Sequence, residues 1–206
     1  MIWNFLTKTL NQVGFPFFSI KSSEYDTVYL TFDDGPNKNT HLLFDFLNRH
    51  NISATHFWLF SNTDNFENKI KIGIQKIAIH GWNHTKYSSL TNQEIKTEFD
   101  KIEMEIKKLN FPIANYFRPP YGSYKSGLKS LCKKYNFKLL FWSHLFEDYA
   151  PDFEPETIKS ESSAIRAGSI VVLHDKEKYY NRICETVLLL QSELSKRNLQ
   201  LKCLPS

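Results

Sequence analysis

Short β-branched and aromatic runs alternate with segments of helical period along most of this chain, and no other feature restricts its fold as tightly. The runs fall at residues 27–30, 54–60, 76–80, 116–118, 137–143, 169–173 and 199–203. Between them apolar residues recur three and four apart, as in Leu42, Leu43, Phe46 and Leu47, in Ile95, Phe99, Ile102 and Ile106, and in Ile183, Val187, Leu190 and Leu194. Parallel strands need a crossover between them, usually a helix, so this alternation predicts parallel α/β architecture. The expected fold is a distorted (β/α)7 barrel of parallel strands. Thr91-x-x-Glu94 reads as a capping box opening the second helix. A short helix at most is expected over 61–71. Further helices are expected over 126–135 and over 156–167, the latter stopped by Gly168.

Barrels of this kind do their chemistry where the strands end. There the first run passes through Thr31-Phe32 into Asp33-Asp34 and halts at Gly35-Pro36. The third run ends at His80, the fourth at Arg118 before Pro119-Pro120, and the sixth at His174. Side chains alternate along a strand, so Asp33 and Asp34 can do different work. Each residue alone has an ordinary explanation: a solvated Asp-Gly turn, a surface histidine pair, a surface arginine, a core histidine. Five at one face of one fold do not.

His80 and His84 lie four apart, close enough in a turn or tight loop for both rings to reach one ion. With Asp34 they make a nitrogen–nitrogen–oxygen set of the kind that holds catalytic zinc and leaves a position for water. Arg118 at a strand end beside carboxylates predicts a bidentate pair with Asp33. In Arg118-Pro119-Pro120-Tyr121-Gly122 the prolines remove two donors and leave the Tyr121 amide to point elsewhere. Trp142 is expected to close the fifth strand, with Asp148 in the loop beyond it.

Composition narrows the classes. Hydrophobic residues make up 41% and charged residues 23%, which excludes a disordered chain. The net charge of +4 is scattered without an arginine-rich run, so nucleic acid is not expected as a partner. Cys132, Cys184 and Cys203 show neither an even count nor paired spacing and are expected to be reduced. Residues 1–24 form an expected lead-in, with Ile2, Phe5, Leu6, Leu10 and Val13 at helical spacing, and 25–206 the catalytic domain. That lead-in is expected to pack on its own domain, with contact to a membrane surface as the alternative. It has no secretory pattern, which places the expected site of action in the cytoplasm or at the inner membrane face.

Thr31 to Pro36, His80-Gly81-Trp82-Asn83-His84, Arg118 to Gly122, Trp142 with Asp148, and Leu173-His174 occur in the order of the polysaccharide deacetylases. The chain resembles that family, which shares the NodB homology domain of carbohydrate esterase family 4, from Val28 to the C-terminus. The resemblance implies Asp33 as catalytic base and Asp34, His80 and His84 as ligands of a divalent ion, zinc first and cobalt or nickel as alternatives. It further implies Arg118 as the holder of the base, His174 as the general acid and Asp148 as the carboxylate that tunes it. The backbone of Tyr121 would donate to an oxyanion, and Trp142 and Leu173 would wall the acetyl pocket. The partner so implied is an N-acetylated saccharide. Departures at Gly81, where the family has Ser or Thr, at Tyr149, where many members have Trp, and in the short stretch between Phe60 and His80 bear on the cleft more than on the reacting groups. Three alternatives stay open at this point: the same site acting on a lipid- or nucleotide-linked N-acyl sugar, with Lys176, Lys178 and Arg182 meeting a diphosphate; a non-catalytic sugar-binding domain; and an amide hydrolase acting on non-sugar acyl groups.

Overall fold

A computed structural model describes residues 26–63 and 70–205. The lead-in expected over residues 1–24 lies outside the described residues. Among the described residues eight strands and five α-helices alternate broadly as expected: β1 (Thr27–Gly35), α1 (Thr40–Arg49), β2 (Thr55–Trp58), β3 (Lys76–Ile79), α2 (Asn92–Ile106), β4 (Ile113–Phe117), α3 (Leu128–Lys134), β5 (Lys138–Leu139), β6 (His144–Leu145), α4 (Ile158–Glu161), β7 (Ile170–His174), α5 (Tyr180–Ser195) and β8 (Gln200–Lys202). The sheet runs β5-β4-β3-β2-β1-β7-β6, with β8 also paired to β1, and every pairing is parallel. It curls into a half-barrel, and β5 and β6 stand at its two ends without pairing to each other.

β1 sits at the centre because its residues suit burial on both sides. Val28, Leu30 and Phe32 pack with Leu43 and Leu47 of α1 and with Ile183, Val187 and Leu190 of α5. Tyr29, Thr31 and Asp33 alternate onto the opposite face. A second cluster joins Phe57, Ile77, Ile79 and Phe117 of the strands to Ile95, Phe99 and Ile102 of α2. The capping box is present in both directions: the Glu94 amide donates to Thr91 Oγ1 at 3.2 Å and the Thr91 amide to Glu94 Oε2 at 2.7 Å.

Two expectations are corrected. The strand expected over 137–143 is only the short β5, paired to β4, and a second short strand, β6, follows beyond it on β7. Between them Leu140, Phe141 and Trp142 are all buried, the Leu140 amide still donating to the Phe117 carbonyl at 2.9 Å, and no strand continues across. The helix over 156–167 is a single α-helical turn, α4, flanked by 3-10 turns at Pro155–Thr157 and Ser162–Ala164. Its hydroxyls bond back to the chain, Thr157 to Glu154, Ser160 to Thr157 and Ser163 to Ser160, and such residues compete with a regular helix. The three cysteines are free, as expected. No helix among the described residues is long and apolar enough to cross a membrane.

Candidate active site

The ends of β1, β3, β4 and β7 meet at a cavity of about 530 Å³. Asp33 and His174 are register partners across β1 and β7, so the two side chains start from adjoining backbone. Beyond Asp33 the chain leaves the strand direction: Asp34 takes φ 75°, in the left-handed region that Asp tolerates better than most residues. The following turn is fixed by Asp175. Its buried carboxylate accepts from Thr40 Oγ1 and Asn37 Nδ2, and its amide donates to the Asp33 carbonyl at 2.8 Å. Burial pushes the Asp175 carboxyl up to about 6. Gly35 has to be glycine for this packing, since a Cβ there would lie 2.9 Å from Asp175 Oδ2 and 3.2 Å from the Trp58 ring.

Asp34, His80 and His84 present ligand atoms that all lie within 4.8 Å of one another. Asp34 Oδ1 is 3.4 Å from His80 Nε2 and 3.0 Å from His84 Nε2. His80 Nδ1 lies 2.8 Å from the Arg118 carbonyl, which can only accept, so Nδ1 carries the proton and Nε2 presents a lone pair towards Asp34. Asp34 Oδ1 itself is buried and makes no hydrogen bond. A buried carboxylate oxygen without a donor, faced by imidazole nitrogens, fits a divalent cation, and the donor set suits zinc and its neighbours. Burial opposes the Asp34 charge, yet the neighbouring His80 and His84 imidazoles and the charge of His174 hold its carboxyl far below the usual range. Its second oxygen, Oδ2, takes the Lys176 ammonium at 2.6 Å.

Arg118 is wholly buried. The bidentate pair with Asp33 is corrected: Nη1 donates to Asp33 Oδ1 at 2.6 Å and to Thr31 Oγ1 at 2.9 Å, while Nη2 donates to the Phe141 carbonyl at 3.1 Å. The guanidinium lies between the Phe57 ring at 4.0 Å and Trp142 at 5.7 Å, which fixes its plane across three acceptors instead of square to one carboxylate. Thr31 was not singled out in the sequence, although it stands two residues from Asp33 and so on the same face. Removing a buried charge and stranding its partner is costly. Arg118→Ala is expected to lower stability by about 3–5 kcal/mol, read as a fall in the urea midpoint at unchanged slope. A wild-type midpoint would refute that weight.

His174 Nδ1 lies 2.7 Å from Asp148 Oδ1, and the His174 amide donates to Asp148 Oδ2 at 2.8 Å. Burial opposes the charged ring, but the Asp148 carboxylate, its hydrogen bond, and the charges of Asp34 and Asp33 outweigh burial and raise the pKa of His174. Tyr149 meets the ring edge-on at 4.8 Å.

On the other side of the cavity Tyr121 is exposed, has φ 59°, and packs edge-on against His84 at 4.3 Å. Trp142 forms a wall there, so close that a Cβ at Gly122 would come within 2.8 Å of its ring. Leu173 differs from expectation. It points away from the cavity into the cluster with Val28, Leu30 and Phe32, because β7 alternation puts Val172 and His174 on the cavity side. Val172 and Leu145 supply the apolar lining instead.

Solved structures that share this fold include family 4 carbohydrate esterases. A peptidoglycan N-acetylglucosamine deacetylase superposes with a TM-score of 0.81 at 24% identity, covering 91% of this chain and 90% of that one. A family 4 carbohydrate esterase from Streptomyces lividans superposes at 0.74 with 22% identity, covering 85% and 91%. A family 4 pseudoenzyme from Bacillus anthracis shares the fold too, at 0.73 and 19% identity over 89% of this chain and 65% of that one. The polysaccharide deacetylase family model matches residues 21–140, and the chain belongs to that family. Among curated relatives, a chitin deacetylase of Amylomyces rouxii is 29% identical over 63% of this chain and 32% of its own length. A peptidoglycan-N-acetylglucosamine deacetylase of Listeria monocytogenes is 27% identical over 82% of this chain and 36% of its own length. The chain thus spans about a third of the length of these two proteins.

Proposed function

We propose that this chain is a metal-dependent hydrolase that removes the N-acetyl group from an amino sugar in a saccharide or glycoconjugate, releasing acetate. The observation that carries this reading is the convergence on one cavity of an arginine-held aspartate, an aspartate-held histidine and an Asp–His–His cluster. Family membership alone would leave catalysis open, since a pseudoenzyme shares the fold.

A divalent ion held by Asp34, His80 and His84 would lower the pKa of a water to about 7 and polarise a carbonyl. The chain's own groups divide the remaining work. Asp33, with Oδ1 tied to Arg118, keeps Oδ2 towards the cavity and takes the proton from the attacking water. The Tyr121 amide is assigned as a donor to the oxyanion that develops on the amide carbonyl. His174, held through Nδ1 by Asp148, offers its Nε2 proton to the departing nitrogen, without which an amine leaves poorly. Trp142, Val172 and Leu145 make the apolar wall that would receive the acetyl methyl.

The diphosphate alternative loses much of its support. Arg182 spends its guanidinium on backbone carbonyls of residues 148–153, and Lys178 lies against Tyr179 at 5.3 Å. A sugar precursor made inside the cell remains the proposed substrate class if the protein acts in the cytoplasm. Acetate release from chito-oligosaccharides, peptidoglycan fragments and nucleotide- or lipid-linked N-acetylhexosamines, with zinc, cobalt or nickel added, tests the reading. Chelator-sensitive release from one class is the expected result; no release from any of them with any ion would overturn it.

Replacing Asp148 with asparagine tests the acid. The carboxylate raises the pKa of His174, so its loss lowers that pKa and leaves less of the imidazolium at alkaline pH. The alkaline limb of kcat is expected to move to lower pH in Asp148→Asn. An unmoved limb would remove Asp148 from this role.

A further inference from the structure

Arg182 lies outside every segment that carries the family resemblance and outside the residues matched by the family model, which end at 140. It belongs to the first turn of α5, away from the cavity lining. Yet its guanidinium makes four hydrogen bonds to one loop. Nη2 donates to the Asp148 carbonyl at 2.6 Å and the Ala150 carbonyl at 2.8 Å, and Nη1 to the Pro151 and Phe153 carbonyls at 3.2 and 3.3 Å. The group is stacked 3.8 Å over the Tyr179 ring, with Phe153 at 5.6 Å. That loop has little regular structure of its own and starts from a strained point, Glu147 at φ 57°. Its first carbonyl on the arginine belongs to Asp148, whose carboxylate holds His174 at both Nδ1 and the backbone amide.

We infer that Arg182 is a positioning residue for the reaction: it braces the 148–153 loop so that the Asp148 carboxylate stays locked on His174. The inference rests on the proposed acid role of His174. The physical argument is one of geometry. A carboxylate aligned with both the ring and the amide of one residue tolerates little movement of its own backbone, and outer partners of this kind are what hold such alignments. The planar fork can span several carbonyls at once, which a lysine ammonium cannot. Other groups face His174 as well: Tyr149 from the same loop, Asp33 and Asp34 from β1, and Lys176 just beyond β7. Of these only Tyr149 sits on the braced loop, and it packs edge-on against the ring, whereas Asp148 is hydrogen-bonded to it, so the effect is assigned to Asp148.

The test compares Arg182→Gln, Arg182→Lys and Asp148→Asn in the full chain, with zinc present. Three readouts are taken: the His174 ring titration by NMR, the pH profile of acetate release, and amide exchange of residues 148–153. Arg182→Gln should lose exchange protection in the loop, lower the His174 titration, shift the alkaline limb of kcat with it, and reduce kcat about tenfold with little change in KM. Arg182→Lys should fall between Gln and wild type, and it carries the comparison if the Gln variant does not fold. A variant that is less stable or slower while its His174 titration and alkaline limb stay at wild type would show a structural role only and overturn the inference. The underlying acid reading fails separately: then Asp148→Asn would leave the His174 titration and limb unmoved, whatever Arg182 does to loop exchange.

Discussion

Asp33→Asn and His174→Ala are each expected to lose turnover by factors on the order of 10² to 10⁴ while keeping the fold and the bound ion. The structure separates both residues from the cation cluster. Asp33 commits Oδ1 to Arg118, and it is not among the three residues whose ligand atoms gather within 4.8 Å of one another. His174 belongs to the Asp148 dyad on the neighbouring strand. Asparagine at 33 keeps the shape and still offers Oδ1 to Arg118, so the variant removes the base without stranding the arginine. Alanine at 174 removes the acid and leaves Asp148 accepting only from the backbone. Because the two act on opposite protons, the acid limb of the pH profile should change in Asp33→Asn and the alkaline limb in His174→Ala. Wild-type turnover in either variant would remove that residue from the reaction, and loss of bound metal in Asp33→Asn would move it into the cation shell.

The site was legible in the sequence to the extent that it is written in strand ends. Asp33, His80, Arg118 and His174 each close a short apolar run, and a parallel sheet brings such ends together without any knowledge of side-chain contacts. The helix opened by Thr91 and Glu94 was equally open to reading, because its signal is local and reciprocal. What escaped depends on contacts distant in the chain. No local pattern says that Arg118 divides its donors among Asp33, Thr31 and Phe141, since that is decided by rings stacked on either side of it. The break between β5 and β6 likewise lies where the sheet leaves its two end strands unpaired, and residues 140–142 cross it with buried side chains.

Leu173 shows a different kind of error. Its neighbour Val172 lines the cavity, and strict alternation from His174 would have given that answer from the sequence. In the sequence Arg182 and Lys176 read as cations that could meet a diphosphate or simply lie on a solvated face. Only the fold shows that the first is spent on four carbonyls and the second on Asp34.

His80→Ala and His84→Ala are both expected to abolish stoichiometric metal binding, and with it acetate release, but to differ in what they do to the protein. His80 is buried, with Nδ1 bonded to the Arg118 carbonyl, so its removal also opens a hole beneath the cavity and strands that acceptor. His84 is part-exposed and bears on Asp34 and the Tyr121 ring, so its loss should cost the metal-free protein little. Thermal unfolding with and without zinc separates the two effects. A ligand that binds only the folded state at about 100 times its Kd adds about 2.7 kcal/mol, which wild type should show and neither variant should. His84→Ala should then unfold like metal-free wild type, and His80→Ala below it. Metal analysis completes the test: a full complement of ion in both variants would place the cation elsewhere and sink the Asp34–His80–His84 assignment.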